Sequence, residues 1–153
     1  MSMDFERLLR DHRIKRVAPD DRQIFKQLDR AAKDLRAATH VCQIDRTWCF
    51  TIAYQAMIRA GRAFMFSRGY VPTSMNSHVT IIEFMRDALG SSTADLMLRF
   101  DRMRRKRHDF LYDSLNSTTN KEALEAIQTA QELIRTIRDM TQTNPTANPG
   151  AIP

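Results

Sequence analysis

The longest apolar pattern in the chain runs over 47–70, TWCFTIAYQAMIRAGRAFMFSRGY. Polar side chains interrupt it at Thr51, Gln55, Arg59 and Arg62, three or four residues apart, and so fall on one narrow helical stripe. A helix that is apolar around the rest of its circumference is covered by neighbours on most sides. The segment therefore predicts the central helix of a bundle. Asp45 stands where an N-cap is needed, and Gly69 where a left-handed residue can end the helix. Charges within and before the segment argue against a membrane span, which takes about 20 mostly apolar residues.

Other periodicities predict the neighbours. Ile24, Leu28, Ala31, Leu35 and Ala38 form a core stripe in a helix opened by Asp20, with Gln23 at capping-box spacing. A helix opening at Ser77 or His78 carries Val79, Ile82, Phe84, Met85 and Leu89 and closes at Gly90. Ser92 and Asp95 offer a cap for a helix over 93–113, whose apolar ladder is Leu96, Phe100, Met103 and Phe110. A last helix opens at Thr119, with Glu122 in capping-box spacing, and continues through Leu124, Ile127, Ile134 and Ile137 to about Met140. Residues 4–17 predict a short basic amphipathic helix stopped before Pro19. It reads either as an extension packed on the bundle or as a partner-binding arm. The stretch 69–74 reads as a connection, and the proline-rich end as a disordered tail.

Short connections between long helices favour antiparallel neighbours. The fold class is thus all-α: an up-and-down four-helix bundle with an additional short helix or helices. Its divisions are a basic N-terminal helical extension over 1–18, the bundle over 19–141 and the tail over 142–153. An apolar central helix with too few partners in one bundle also points to a homodimer.

A chain of 153 residues can bury a core of its own. Its formal charge of +6 suggests an anionic partner, with nucleic acid first. Cys42 and Cys49 are too few for a disulfide framework, and no signal or anchor pattern is evident. The expected location is cytoplasmic, away from membranes. His40, Cys42 and Cys49 match no zinc spacing and lack a fourth ligand, so no metal site is expected. No glycine-rich phosphate loop or nucleophile motif appears, and no cofactor is expected.

The segment 93–113 carries the most informative chemistry. Its ladder lacks one apolar rung, where Arg107 stands, and a guanidinium at an inward position needs a partner or an interface. Around it Arg99, Arg102, Arg104, Arg105 and Lys106 face only Asp101 in the local sequence. Such a run reads either as a solvated helix face or as an anion-binding one. His78, near a helix start, reads more readily as a cap neighbour than as a catalytic base.

The run AYQAMIRAGRAFMFSRGYVPTSMNSHVTIIEFM resembles the second helix and following turn of HEPN domains, and RRKRHDFLYD resembles that family's basic, arginine-containing box. The resemblance spans about residues 20–140 and implies a helical bundle. Family members occur as toxin components, as partners of minimal nucleotidyltransferases and as RNA-processing modules. Ribonucleolytic members carry an arginine, four to six residues, then a histidine, and build the site across a homodimer. The chemistry pairs a cation for the scissile phosphate with an imidazole for proton transfer.

Two registers fit here. Arg102 and His108 give the arginine–histidine spacing, with Met103 where a polar residue often stands. Arg107 and Tyr112 place polar His108 after the arginine and tyrosine where catalytic members carry histidine. Residues five or six apart differ by about 140° or 120° around a helix, so one chain alone does not pair either set.

The resemblance implies a toxin-like, metal-independent endoribonuclease with a composite site at a homodimer interface, drawing on Arg102, Arg107, His108 and Tyr112. The alternative is a non-catalytic module that binds RNA, nucleotide or a protein partner through Arg99, Arg104, Arg105 and Lys106. The partners implied are RNA or nucleotide, a second copy, and an antitoxin or a nucleotidyltransferase.

Overall fold

Helix α3, Arg46–Ser67, occupies the centre of the protein and is enclosed by the rest of it. The computed structural model describes residues 3–74, 76–112 and 118–142, and the side chains of 5–74, 76–109 and 118–141. Among these, α3 is joined by α1 (Met3–Arg10), α2 (Asp21–Val41), α4 (Ser77–Leu89), α5 (Ala94–Tyr112) and α6 (Asn120–Gln142). The expected all-α bundle is present.

α2 packs along α3 most extensively, α6 next, and α4, α5 and a short strand close the remaining sides. Close approach is possible because α3 presents Ala53, Ala56, Ala60, Gly61 and Ala63, all buried. Between these small residues Tyr54, Met57, Ile58, Phe64 and Met65 project into the neighbours and are fully buried. Of the anticipated polar stripe, Gln55 and Arg62 are exposed and Thr51 and Arg59 half-buried. Since one protomer already covers α3, the apolar character of this helix supplies no argument for a homodimer.

Local signals hold where they act within a turn of chain. Asp20 accepts from the Arg22 and Gln23 amides, and Asp45 from the Trp48 amide at 2.9 Å. Thr119 and Glu122 exchange hydrogen bonds of 2.9 and 3.1 Å, completing the capping box of α6. The whole Ile24–Ala38 stripe is buried. Gly69 and Gly90 adopt positive φ after α3 and α4, as stops of this kind require.

Four local expectations are corrected. The N-terminal helix ends at Arg10, and Ile14–Arg16 is a strand, β1, paired antiparallel with β2, Tyr70–Pro72, in the supposed connection. Ile14 is buried while Lys15 and Arg16 face out, an alternation of strand type. Arg13 locks the ladder to α4, donating to Thr80 Oγ1 at 2.9 Å and to Glu83 at 2.8 Å. Phe5 stacks on Phe84 at 4.2 Å, so the N-terminal segment is packed on the core.

Ser92 does not cap α5. Ser91–Thr93 forms a 3-10 turn, and Asp95 pairs with Arg99. Leu124 is half exposed, because α6 turns Ala123, Ala126, Ala130 and Leu133 inward beside Ile127, Ile134 and Ile137. Cys42 caps α2 and Cys49 lies in the first turn of α3, and the tight turn between them brings their Cα atoms to 4.7 Å, joined by a disulfide. That bond consumes both sulfurs of the rejected metal trio and removes the cysteine argument for a cytoplasmic location. Phe110 and the proline-rich tail lie outside the described side chains. Among the described residues no helix is long and apolar enough to cross a membrane.

Gly61 tests the close packing of α3 on α4. A Cβ there would meet Ile81 Cγ2 at 2.4 Å and Met85 Sδ at 3.3 Å, both on buried side chains. Glycine to alanine inside a helix ordinarily gains about 1 kcal/mol. Here overpacking reverses the sign: Gly61→Ala is expected to lower unfolding free energy by about 1–3 kcal/mol in urea denaturation. An unchanged or raised midpoint would show that the α3–α4 contact is looser than described.

Candidate phosphate-facing site on helices α3, α4 and α5

The basic run of α5 is split between two faces. Arg99, Arg102 and Lys106 stand three and four residues apart and line a groove of about 300 Å³ against α6, with Glu122 and Thr129 opposite. There Arg99 bonds Asp95 at 2.9 Å and Glu132 at 2.8 Å, and Lys106 pairs with Glu122. On the other side Arg104 and Arg105 both hold Asp101, at 2.9 and 3.0 Å. Burial pulls the Asp101 carboxyl upward, but the hydrogen bond and charge of Arg104 and the charge of Arg105 outweigh it and hold it below its usual range. The cations that the local sequence opposes with one acid are thus largely neutralised by α6 and by their own helix.

Arg107 differs. Its guanidinium carbon lies 5.5 Å from the centroid of the Tyr54 ring, within cation–π range. Its Nε is buried and has no hydrogen-bond partner. No described acidic residue forms an ion pair with it. A buried donor left unpaired costs about 1–3 kcal/mol. The aromatic face offsets part of that cost, about 0.5–2 kcal/mol. The inward rung anticipated from the ladder therefore exists, met by a ring instead of a carboxylate.

Tyr54 extends the arrangement to α4. Its hydroxyl lies 3.0 Å from His78 Nδ1, the two rings are tilted at 5.6 Å, and Phe100 meets Tyr54 edge-on. Burial pushes the phenol pKa above its ordinary range, against the opposing pull of Arg107, Arg104 and Arg62. Burial pushes the His78 imidazole down, and Arg62, Arg107 and Arg104 push it further. Tyr54 thus keeps its proton and His78 is neutral at pH 7. The neutral ring admits two directions for this bond: in the Nε2–H tautomer Tyr54 donates to Nδ1, and in the Nδ1–H tautomer its hydroxyl accepts.

Arg102 and His108 are exposed, and six positions of helix separate them around α5, so one chain does not bring this pair together. Arg107 and Arg104 do converge on Tyr54. The Tyr112 side chain lies outside the described residues. Sequence reasoning passed over Tyr54 and Arg62 as members of the site and gave His78 a capping role. The available signal was the hydroxyl itself, since a tyrosine inside an otherwise apolar helix needs a polar partner.

The sequence model of the HEPN domain matches residues 25–140. That span covers most of α2 and α6 and all of α3, α4 and α5, and leaves α1 and β1 outside. No curated protein matches the chain.

The neutral state of His78 has a consequence for stability. A histidine whose folded pKa lies below its unfolded value contributes stability that is complete above the unfolded value of about 6.5 and is lost as pH falls from there through the lower folded pKa. The groups facing it are Tyr54 and Arg62 from α3 and Arg104 and Arg107 from α5. His78→Gln, which cannot charge, is expected to lose less unfolding free energy than wild type between about pH 7.5 and pH 5. Parallel pH profiles by urea denaturation decide it, and identical slopes would mean that His78 protonates freely in the fold.

Proposed function

Given that the chain belongs to the HEPN domain family, we propose that it acts on RNA as a toxin-like endoribonuclease whose chemistry needs no metal. Arg107 is the observation that carries this reading: a cation at an inward position, laid on Tyr54, with a buried N–H that no described residue satisfies. A phosphodiester oxygen is the acceptor it lacks. Arg99, Arg104, Arg105 and Lys106 are already paired with acids and so do not compete for that phosphate.

In the cleavage step the 2′-hydroxyl oxygen forms a bond to phosphorus and the bond from phosphorus to the 5′ oxygen breaks. An imidazole takes the hydroxyl proton, and a proton returns to the departing oxygen. Arg107 stabilises the charge that gathers on the phosphoryl oxygens. His108 is the imidazole of the basic box, exposed and one turn beyond Arg104. Pairing of two α5 helices about a two-fold axis would set the arginine of one copy against the histidine of the other. Arg102 would then flank the cleft.

A second reading is a non-catalytic module that contacts RNA, a nucleotide or a protein such as an antitoxin or nucleotidyltransferase. The separation of Arg102 from His108 on α5 favours it. Cleavage assays on structured and unstructured RNA decide between the two. The nuclease reading expects His108→Ala to lose about 10²–10⁴-fold in rate while RNA binding persists. It expects Arg107→Ala to weaken binding and to reduce the logarithmic salt slope by about 0.7 on single strands. Undiminished cleavage by His108→Ala removes that residue from the mechanism. A wild-type protein that binds RNA without cutting it supports the second reading.

A further inference from the structure

The Tyr54–His78 pair has a geometry that the arginine–histidine box does not explain. His78 lies in the first turn of α4, whose N-cap, Asn76, has left-handed φ and makes no side-chain capping bond; that turn contains no acidic residue. First-turn N–H groups and the positive end of the helix dipole are therefore met neither by a cap side chain nor by an acid of that turn. Arg62 projects from the exposed stripe of α3, and no described acid pairs with it. Arg107 approaches from α5 with its buried Nε unsatisfied. The acid on this side, Asp101, is already held by Arg104 and Arg105. Two guanidinium groups that no described acid pairs with and an uncapped helix start thus flank one half-buried imidazole, while the nearby carboxylate, Asp101, is taken up by its own helix.

We infer that Tyr54, Arg62, His78 and Arg107 form a binding site for a phosphate ester at the junction of α3, α4 and α5, with His78 Nε2–H donating to a non-bridging oxygen. The inference deepens the RNA-directed reading above, and gives the phosphate a seat on a single chain. Each part has a role set by its chemistry. Tyr54 is a positioning residue: its hydroxyl lies 3.0 Å from Nδ1 and orients the ring, and in the bound state it donates to Nδ1 and so leaves the ring proton on Nε2. Arg62 and Arg107 supply charge from opposite helices. The neutral imidazole supplies a directional donor that is not screened by a counter-charge of its own. Burial and the nearby cations disfavour imidazolium in the empty site. A bound anion reverses that balance, so ligand binding and proton uptake at His78 are linked.

That linkage gives a readout independent of cleavage. Two-bond nitrogen–proton NMR of the full chain resolves tautomer and pKa for its four histidines, His12, His40, His78 and His108. The probes are a single-stranded 2′-O-methyl oligoribonucleotide, which offers no nucleophile, and adenosine 5′-monophosphate. Without ligand, His78 is expected as the Nε2–H tautomer, titrating below the ordinary value of about 6.5. At saturation its pKa is expected to rise by about one unit or more, equivalent to roughly tenfold tighter binding to the imidazolium form. Arg62→Ala and Arg107→Ala should each weaken binding about tenfold and diminish the shift, and Tyr54→Phe should lose the tautomer preference while keeping the fold.

A shift with the oligonucleotide alone identifies a strand phosphate as the ligand, and an equal shift with the mononucleotide identifies a nucleotide. If both probes leave His78 unmoved at saturation, or move His108 alone, the site is overturned. The nuclease reading fails separately: a His78 shift in a protein that cuts no RNA leaves this site standing without that activity. Cleavage with an unmoved His78 does the reverse.

Discussion

A helix with almost no polar face can exist in water only if other elements surround it, and α3 imposes that requirement on the whole chain. Its alanines and Gly61 allow α2, α4 and α6 to approach closely, and its larger residues fill the spaces between them. Burying a large apolar side chain contributes about 1.5–3 kcal/mol, so many such side chains on one helix dominate the choice of arrangement. The N-terminal segment follows the same demand. Leu8 and Ile14 are buried, and Phe5 stacks on Phe84. What could have been a free basic arm is instead drawn into the core.

Tyr54 is where this constraint meets chemistry. It sits among residues that exclude water, yet it carries a hydroxyl, and a buried hydroxyl needs a partner. The start of α4 supplies one in His78, and the Tyr54 ring supplies a face for Arg107. The packing that encloses α3 therefore also fixes the place of one imidazole and of one guanidinium. Altering the core at this level would alter the polar arrangement above it.

The charge of the protein is redistributed by the fold. Exposed ion pairs add little stability, commonly about 0–1 kcal/mol each, but they cancel local field. Asp95, Asp101, Glu122 and Glu132 cancel much of what α5 carries. The net charge of +6 is consequently a poor guide to where an anion would bind. The informative cations are those beside the Tyr54–His78 pair that no described acid pairs with, Arg62 and Arg107.

The amino-acid sequence by itself determined the five long helices and most of their ends, because capping and periodicity act within one or two turns; the end of α1 and the start of α5 it did not. Asp20, Asp45 and the Thr119–Glu122 pair reach amides two or three residues away, and the Ile24–Ala38 stripe is buried as its spacing requires. The inward position of Arg107 was legible for the same reason, as the missing rung of a regular ladder. Only the tertiary structure decided what each polar group would meet. β1 pairs with β2 across more than fifty residues, Arg99 finds Glu132 on another helix, and Tyr54 finds His78 at the start of α4. Leu124 and Leu133 look equally apolar in sequence, yet one is exposed and the other buried, because the face of α6 turned inward was set by the close fit of its alanines on α3. Contacts between distant residues depend on which surfaces pack together, and a pattern along one strand of sequence does not contain that choice.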